Sequence, residues 1–173
     1  MKNVYVVEGK TDEQVLLSIG CRYVYQVHGM QARNIDIEFL KSVQSFRKIV
    51  LLFDPDRNGK FLTGIFKSNL RNFMTLKIEA DKCIKGKKVG IAEAEIAYLK
   101  EQLKGCLNYD NKFEENYDIS KLKEIISKYD MKQILLALKK HNIDNLDDLG
   151  MKVAILNLNL EELEREIIDE NSR

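Results

Sequence analysis

The chain has 173 residues, 45% of them hydrophobic, which is enough for one well-buried core and a smaller appended unit. Its formal net charge of +1 conceals an uneven distribution: residues 1–105 carry 18 Lys/Arg against 12 Asp/Glu, and residues 106–173 carry 10 against 15, the pattern of a polyanion-binding portion beside an acidic one. The cysteines Cys21, Cys83 and Cys106 are odd in number and widely spaced, which argues against a disulfide framework or a zinc site, and the lack of a long apolar run predicts a soluble, cytoplasmic protein without a membrane partner.

In chain order, Asn3 to Val7 is a short β-branched run that reads as a buried strand ending at Glu8-Gly9. Thr11 is placed to cap a helix carrying Val15, Leu16 and Ile19 and closed by Gly20. Tyr23 to Val27 predicts a second strand ending at His28-Gly29, and Ile35 to Val43 predicts a helix through Ile35, Phe39, Leu40 and Val43. Lys48 to Phe53 predicts a third strand, which stops at Asp54-Pro55-Asp56. A helix over Phe61 to Asn72, a fourth strand over Phe73 to Ile78 and a helix over Glu93 to Lys104 follow.

Alternation of strands and helices predicts an α/β fold with a mostly parallel four-stranded sheet and ligands beyond the strands' carboxyl ends. Phe39, Phe46, Phe53, Phe66 and Phe73 fall within apolar periodicity and are expected in the core, with Phe61 and Tyr23 nearer the surface. The domain reading is a catalytic domain over 1–105, a polar linker over 106–118 and a helical region over 119–173, with apolar stripes at Leu122, Ile125, Ile126 and Tyr129, at Ile134, Leu135 and Leu138, and at Leu160, Leu163 and Ile167.

Glu8, Asp54 and Asp56 each follow a predicted buried strand, so the fold could gather three carboxylates at one sheet edge. Such a group suits a hard cation such as magnesium, which takes oxygen ligands and is often held by one or two carboxylates plus substrate phosphate. A single acid at a strand end more commonly caps a helix or fixes a turn. Two acidic clusters and their strings shift the balance.

Val7-Glu8-Gly9-Lys10-Thr11-Asp12 followed by Asp54-Pro55-Asp56 resembles the paired signature of the Toprim domain of topoisomerases, primases and several nucleases. The resemblance implies acid/base work for Glu8 and magnesium held by Asp54 and Asp56 together with Glu8, while Gly9 lets the backbone approach the site closely. Asp54-Pro55-Asp56-x-x-Gly59, Val27-His28-Gly29 and Lys85-Gly86-Lys87-Lys88-Val89-Gly90-Ile91-Ala92-Glu93 are similar to the ribonuclease M-five family, which matures 5S ribosomal RNA; the similarity covers roughly residues 3–104.

Where that family carries Gly-Val-Glu-His, this chain reads Gly90-Ile91-Ala92-Glu93-Ala94-Glu95, so Glu93 or Glu95 is the counterpart. The tail string Tyr129-Asp130-Met131-Lys132-Gln133 lacks the family's glycines. The resemblance implies cleavage of precursor 5S ribosomal RNA with a 5S-binding ribosomal protein as partner. Another Toprim nuclease acting on DNA or mobile-element RNA, and a non-cleaving nucleic-acid-binding module, remain alternatives, and nothing in the sequence sets the oligomeric state.

Residues 57–88 hold nine basic residues against only Glu79 and Asp81. Lys10, Arg57, Lys60, Lys85, Lys87 and Lys88 are the candidate RNA-binding residues, since Lys and Arg supply the sequence-independent part of nucleic-acid affinity. Lys67 and Arg71 read equally well as a solvated helix face. His28 is a candidate for contact with substrate, and Gly9, Gly59 and Glu93 complete the candidate site. His141, in the tail, is expected to be structural.

Overall fold

The computed structural model describes residues 2–27, 33–86, 88–107 and 118–171, and the chain divides into two compact units, Met1–Tyr109 and Asp110–Arg173. The first unit runs β1 (Asn3–Val7), α1 (Lys10–Ser18), β2 (Val24–Gln26), α2 (Arg33–Val43), β3 (Lys48–Leu51), α3 (Arg57–Asn69), β4 (Phe73–Thr75), β5 (Ile84–Lys85), β6 (Lys88–Val89) and α4 (Ile96–Leu103). The strands β2-β1-β3-β4 form one sheet in that order, and every pairing in it is parallel.

The chain steps sideways one way from β1 to β2 and the other way from β2 to β3 and β4. Right-handed crossovers then put α1 on one face of the sheet and α2 and α3 on the other. The packing agrees. Tyr5, Val7, Val50 and Leu52 are buried together with Leu16 and Ile19 of the α1 region and Leu99 and Leu103 of α4. By strand alternation Val4, Val6, Ile49 and Leu51 face the opposite side, for which α2 and α3 supply the buried Phe39, Leu40, Leu62 and Phe66. The Tyr5 hydroxyl and the Asn3 amide both donate to the Cys106 carbonyl oxygen, which ties the chain beyond α4 to β1. All three cysteines are buried free thiols.

Several boundaries differ from the sequence expectation for local reasons. The third helix begins at Arg57 rather than Phe61, because Asp56 caps it by accepting from the Gly59 backbone N–H at 2.8 Å. The first helix begins at Lys10 with Gly9 as its N-cap, so Thr11 lies inside it and is not the cap. The last helix of the unit starts at Ile96 instead of Glu93, since Ile91–Glu93 forms a 3-10 turn and Ala94 and Glu95 are extended. The antiparallel β5–β6 hairpin was not expected. Phe39, Phe53 and Phe66 are core residues, but Phe46 is 41% exposed just beyond the end of α2, and Phe73 is only half-buried on the outer strand β4.

The second unit contains α5 (Ile119–Lys128), α6 (Met131–Lys139), α7 (Leu149–Leu156) and α8 (Leu160–Asn171). Asp118 caps α5 and Asp130 caps α6. Leu122, Ile125, Ile134, Leu138, Leu163 and Ile167 are buried, as their spacing requires. His141 lies 2.8 Å from Glu166, a contact within this unit. Most of the expected linker, residues 108–117, lies outside the described residues. Among the described residues no helix is long and apolar enough to cross a membrane.

Candidate active site

The carboxyl ends of β1 and β3 flank the point where the chain changes lateral direction, the crevice at which open α/β sheets bind ligands. Glu8 follows β1 directly, and the buried Leu52 and Phe53 carry the chain from β3 to Asp54 and Asp56. The parallel register of β1 and β3 therefore puts the three sequence-selected carboxylates at one sheet edge.

Each carboxylate is held by a different device. Asn58, on the first turn of α3, donates its amide to Glu8 Oε1, while Glu8 Oε2 is buried without a hydrogen-bond partner. Asp54 Oδ1 accepts from the Ile91 N–H at 2.8 Å, and Asp56 Oδ1 accepts from the Gly59 N–H at 2.8 Å. Burial pushes the Glu8 pKa up, and the charges of Asp54, Asp56 and Asp12 push it the same way against the Asn58 hydrogen bond. Burial also raises Asp54, with Asp56 adding to it and the Ile91 N–H opposing.

A fourth carboxylate belongs to the cluster. Asp12 is 6% exposed, accepts from the Gly9 N–H at 3.0 Å through Oδ2 and from the Ala92 N–H at 3.1 Å through Oδ1. Burial first, then the Asp54 charge, raises its pKa to about 6. Asp12 and Asp54 thus clamp the backbone of Ala92 and Ile91, immediately after the basic hairpin. Glu93 is within electrostatic reach of Asp12, whereas Glu95 is exposed at the N-cap of α4 and makes no side-chain cap bond.

Three glycines are fixed by Asp54 and Asp12. A Cβ on Gly59 would lie 2.0 Å from the Asp54 carbonyl oxygen, and one on Gly90 would lie 3.1 Å from Asp54 Oδ2. At Gly9, whose φ of −125° is open to any residue, the constraint is the Asp12 carboxylate 3.0 Å from a Cβ. The close approach expected at Gly9 is therefore to Asp12.

The oxygens Glu8 Oε2, Asp54 Oδ2 and Asp56 Oδ2 make no hydrogen bond among the described residues, and they are hard donors of the kind divalent cations prefer. Among the described residues no group of three His, Cys, Asp or Glu side chains is arranged, as the side chains stand, to hold a metal ion. Of the basic candidates, Lys10 is exposed and pairs with Glu13 at 2.7 Å; Arg57 and Lys60 are exposed on the first turn of α3; Lys85 is exposed in the hairpin, where it pairs through its backbone with Lys88. His28 and Lys87 lie outside the described residues.

A Mycoplasma genitalium protein named Ribonuclease M5 is 32% identical over 97 residues, 56% of this chain and 54% of that relative. The Ribonuclease M5 of Mycoplasma capricolum subsp. capricolum is 29% identical over 150 residues, 84% of this chain and 82% of its own. That of Staphylococcus aureus is 25% identical over 115 residues, covering 65% and 62%. The chain is thus similar to several proteins named Ribonuclease M5. It spans about half the length of the M. genitalium relative, and no family model matches it.

Sequence reasoning missed Asp12, Asn58 and Gly90. Asp12 stands inside the Glu8-to-Asp12 string, and Asn58 follows Asp54-Pro55-Asp56 by two positions, but an acid or amide in the first turn of a helix is ordinary and carries no signal of its own.

Proposed function

We propose that this chain is a magnesium-dependent endoribonuclease with a Toprim-type catalytic domain that trims precursor 5S ribosomal RNA in its terminal stem. The observation that carries the reading is the buried, unpartnered Glu8 Oε2 in a cluster with Asp54 and Asp56 at the switch point of the sheet. An orphaned carboxylate oxygen among like charges is costly unless a cation or proton meets it. The similarity to proteins named Ribonuclease M5 supports an RNA substrate.

Glu8, Asp54 and Asp56 would hold the magnesium. Bound there, it would supply Lewis-acid stabilisation of phosphate charge. Glu8 serves as the acid/base: burial and its acidic neighbours push its pKa above the usual carboxylate value, and Oε2 is the oxygen without a hydrogen-bond partner. Asn58 orients that carboxyl through Oε1. Arg57, Lys60, Lys85, Lys87 and Lys88 grip the RNA backbone, whose A-form major groove is too narrow for side chains to read, so recognition is by shape and phosphate. A 5S-binding ribosomal protein that presents the stem is the expected partner.

The test is incubation of the purified chain with precursor 5S RNA, with the same RNA carrying a disrupted terminal stem, and with an unrelated hairpin, each with magnesium or EDTA and with or without the 5S-binding ribosomal protein. Cleavage confined to the intact precursor, dependent on magnesium and enhanced by the protein, is expected. Equal cutting of all three RNAs would reject the maturase reading in favour of a general nuclease, and no cutting under any condition would favour a binding module.

A further inference from the structure

Beside Asp54 lies a pocket of about 410 Å³ formed by the loop after β3, one face of α3 and the chain leaving β4. Lys60, Thr63 and Lys67 line it from α3, where spacings of three and four residues put them on one helix face. Thr75 and Lys77 line it from the outer edge of the sheet. Lys60, Lys67 and Lys77 make no ion pair among the described residues, although lysines elsewhere, such as Lys41 and Lys128, find carboxylates. Thr75 Oγ1 is buried without a hydrogen-bond partner. Pro55, Leu76 and Ala80 give the same pocket an apolar side.

Three lysines lining one pocket suit a phosphate, and an apolar side next to them suits a base. The volume is that of a small-molecule site and suits a single nucleotide, which enters most readily when it is unpaired. Because Asp54 borders the pocket and also belongs to the acidic cluster, a strand with one phosphate at the carboxylates can place its neighbouring nucleotide here.

We propose that the pocket between α3 and the chain leaving β4 is a subsite for one unpaired ribonucleotide flanking the scissile phosphate, its phosphate on Lys60, Lys67 and Lys77 and its base against Leu76 and Pro55. The subsite rests on the nuclease reading for its place beside the cut, but its occupancy does not require cleavage. A duplex stem cut at this site would then release one nucleotide from pairing next to the cut.

The experiment titrates the full chain with adenosine 3′-monophosphate, uridine 3′-monophosphate, ribose 5-phosphate and inorganic phosphate, following backbone amide shifts by NMR. The nucleotides are expected to shift the amides of Thr63, Thr75 and Lys77 saturably and to bind more tightly than the two base-free probes. Lys67→Ala/Lys77→Ala should weaken nucleotide binding about tenfold or more, as expected when charge-assisted hydrogen bonds are removed. Thr75→Val should weaken it less, and Lys100→Ala, on α4, should leave it unchanged. The dispersion of each variant's spectrum reports its fold directly. Equal affinity for inorganic phosphate and nucleotide would overturn the nucleotide assignment. Shifts confined to other residues, or unchanged binding by the well-folded double variant, would overturn the pocket itself, whether or not the chain cleaves RNA.

Discussion

Gly59 lies so close beneath Asp54 that a Cβ on it would come within 2.0 Å of the Asp54 carbonyl oxygen and 2.8 Å of its nitrogen. Both are backbone atoms, so neither can swing aside as a side chain would. The turn that presents Asp54 and Asp56 therefore depends on a hydrogen atom at position 59. Gly59→Ala should destabilise the chain by about 3 kcal/mol, as overpacking of a buried site does, and should disturb the Asp54–Asp56 turn. Gly64, in the same helix with nothing within 4 Å of a Cβ, is the control: Gly64→Ala should stabilise by about 0.5–1 kcal/mol. Urea unfolding of the two variants measures both; equal stability would show that the turn tolerates the methyl.

Glu8→Gln and Asp54→Asn should each lower cleavage of precursor RNA by about a hundredfold or more, with circular dichroism unchanged. Both replacements keep the acceptor oxygen that meets Asn58 or the Ile91 N–H, and both remove charge from a cluster whose members raise one another's pKa. The variants should therefore melt no lower than the parent in EDTA. Magnesium should raise the melting temperature of the parent and raise that of Asp54→Asn less, because a cation that binds only the folded state stabilises it more the tighter it binds. Near-normal cleavage by both variants would remove these residues from the chemistry.

The layout of the first unit was legible because β1 and β3 are short apolar runs that end abruptly in acids, so strand ends and carboxylates announce one another. Parallel pairing then follows from the helices between them. What escaped the sequence has physical causes. The β5–β6 hairpin has two residues per strand, too few for any alternation to register. In α7 the run Leu149–Leu156 is apolar on nearly all sides, so it shows no helical stripe. Phe46 fits an apolar count but follows the end of α2, where the chain has left the helical path. The Asp12 and Asp54 carboxylates meet the Ala92 and Ile91 N–H groups only when the hairpin is in place, 80 residues along the chain from Asp12.

Asp12 gives the fold a pH dependence of definite sign. Its carboxyl titrates near 3.8 when exposed and at about 6 in the fold, because burial and the Asp54 charge disfavour ionisation. Between those values the folded state binds more protons than the unfolded state. Stability from this group is therefore full below about pH 4 and is lost as pH rises through 6, by about 3 kcal/mol in total. Glu8 and Asp54, also raised, act in the same direction. Asp12→Asn cannot satisfy both the Gly9 and Ala92 N–H groups and will lose a hydrogen bond, but its stability should change less between pH 4.5 and 7 than that of the parent. Parallel stability profiles for parent and variant across that interval would refute the assignment.

The basic hairpin should contribute affinity without sequence preference. Lys85 is exposed on β5, and the two backbone clamps at Ile91 and Ala92 fix the end of the hairpin against Asp54 and Asp12, so its charge is anchored beside the acidic cluster rather than on a free loop. This placement lets cationic side chains hold phosphates flanking a site that would itself repel RNA until a cation neutralises it. Replacing Lys85, Lys87 and Lys88 together by Ala should weaken binding of precursor and unrelated hairpins alike, since lysines on phosphates position the RNA and carry no sequence information. The slope of log affinity against log salt should flatten by about one unit for each phosphate that the variant leaves without its lysine. The decisive measurement is that slope for parent and triple variant, taken in magnesium-free buffer with calcium absent, so that competition by divalent ions does not mask counterion release. An unchanged slope would place the hairpin off the RNA path and leave Arg57 and Lys60, on the first turn of α3 directly after the Asp54–Asp56 turn, as the principal grip on the RNA backbone.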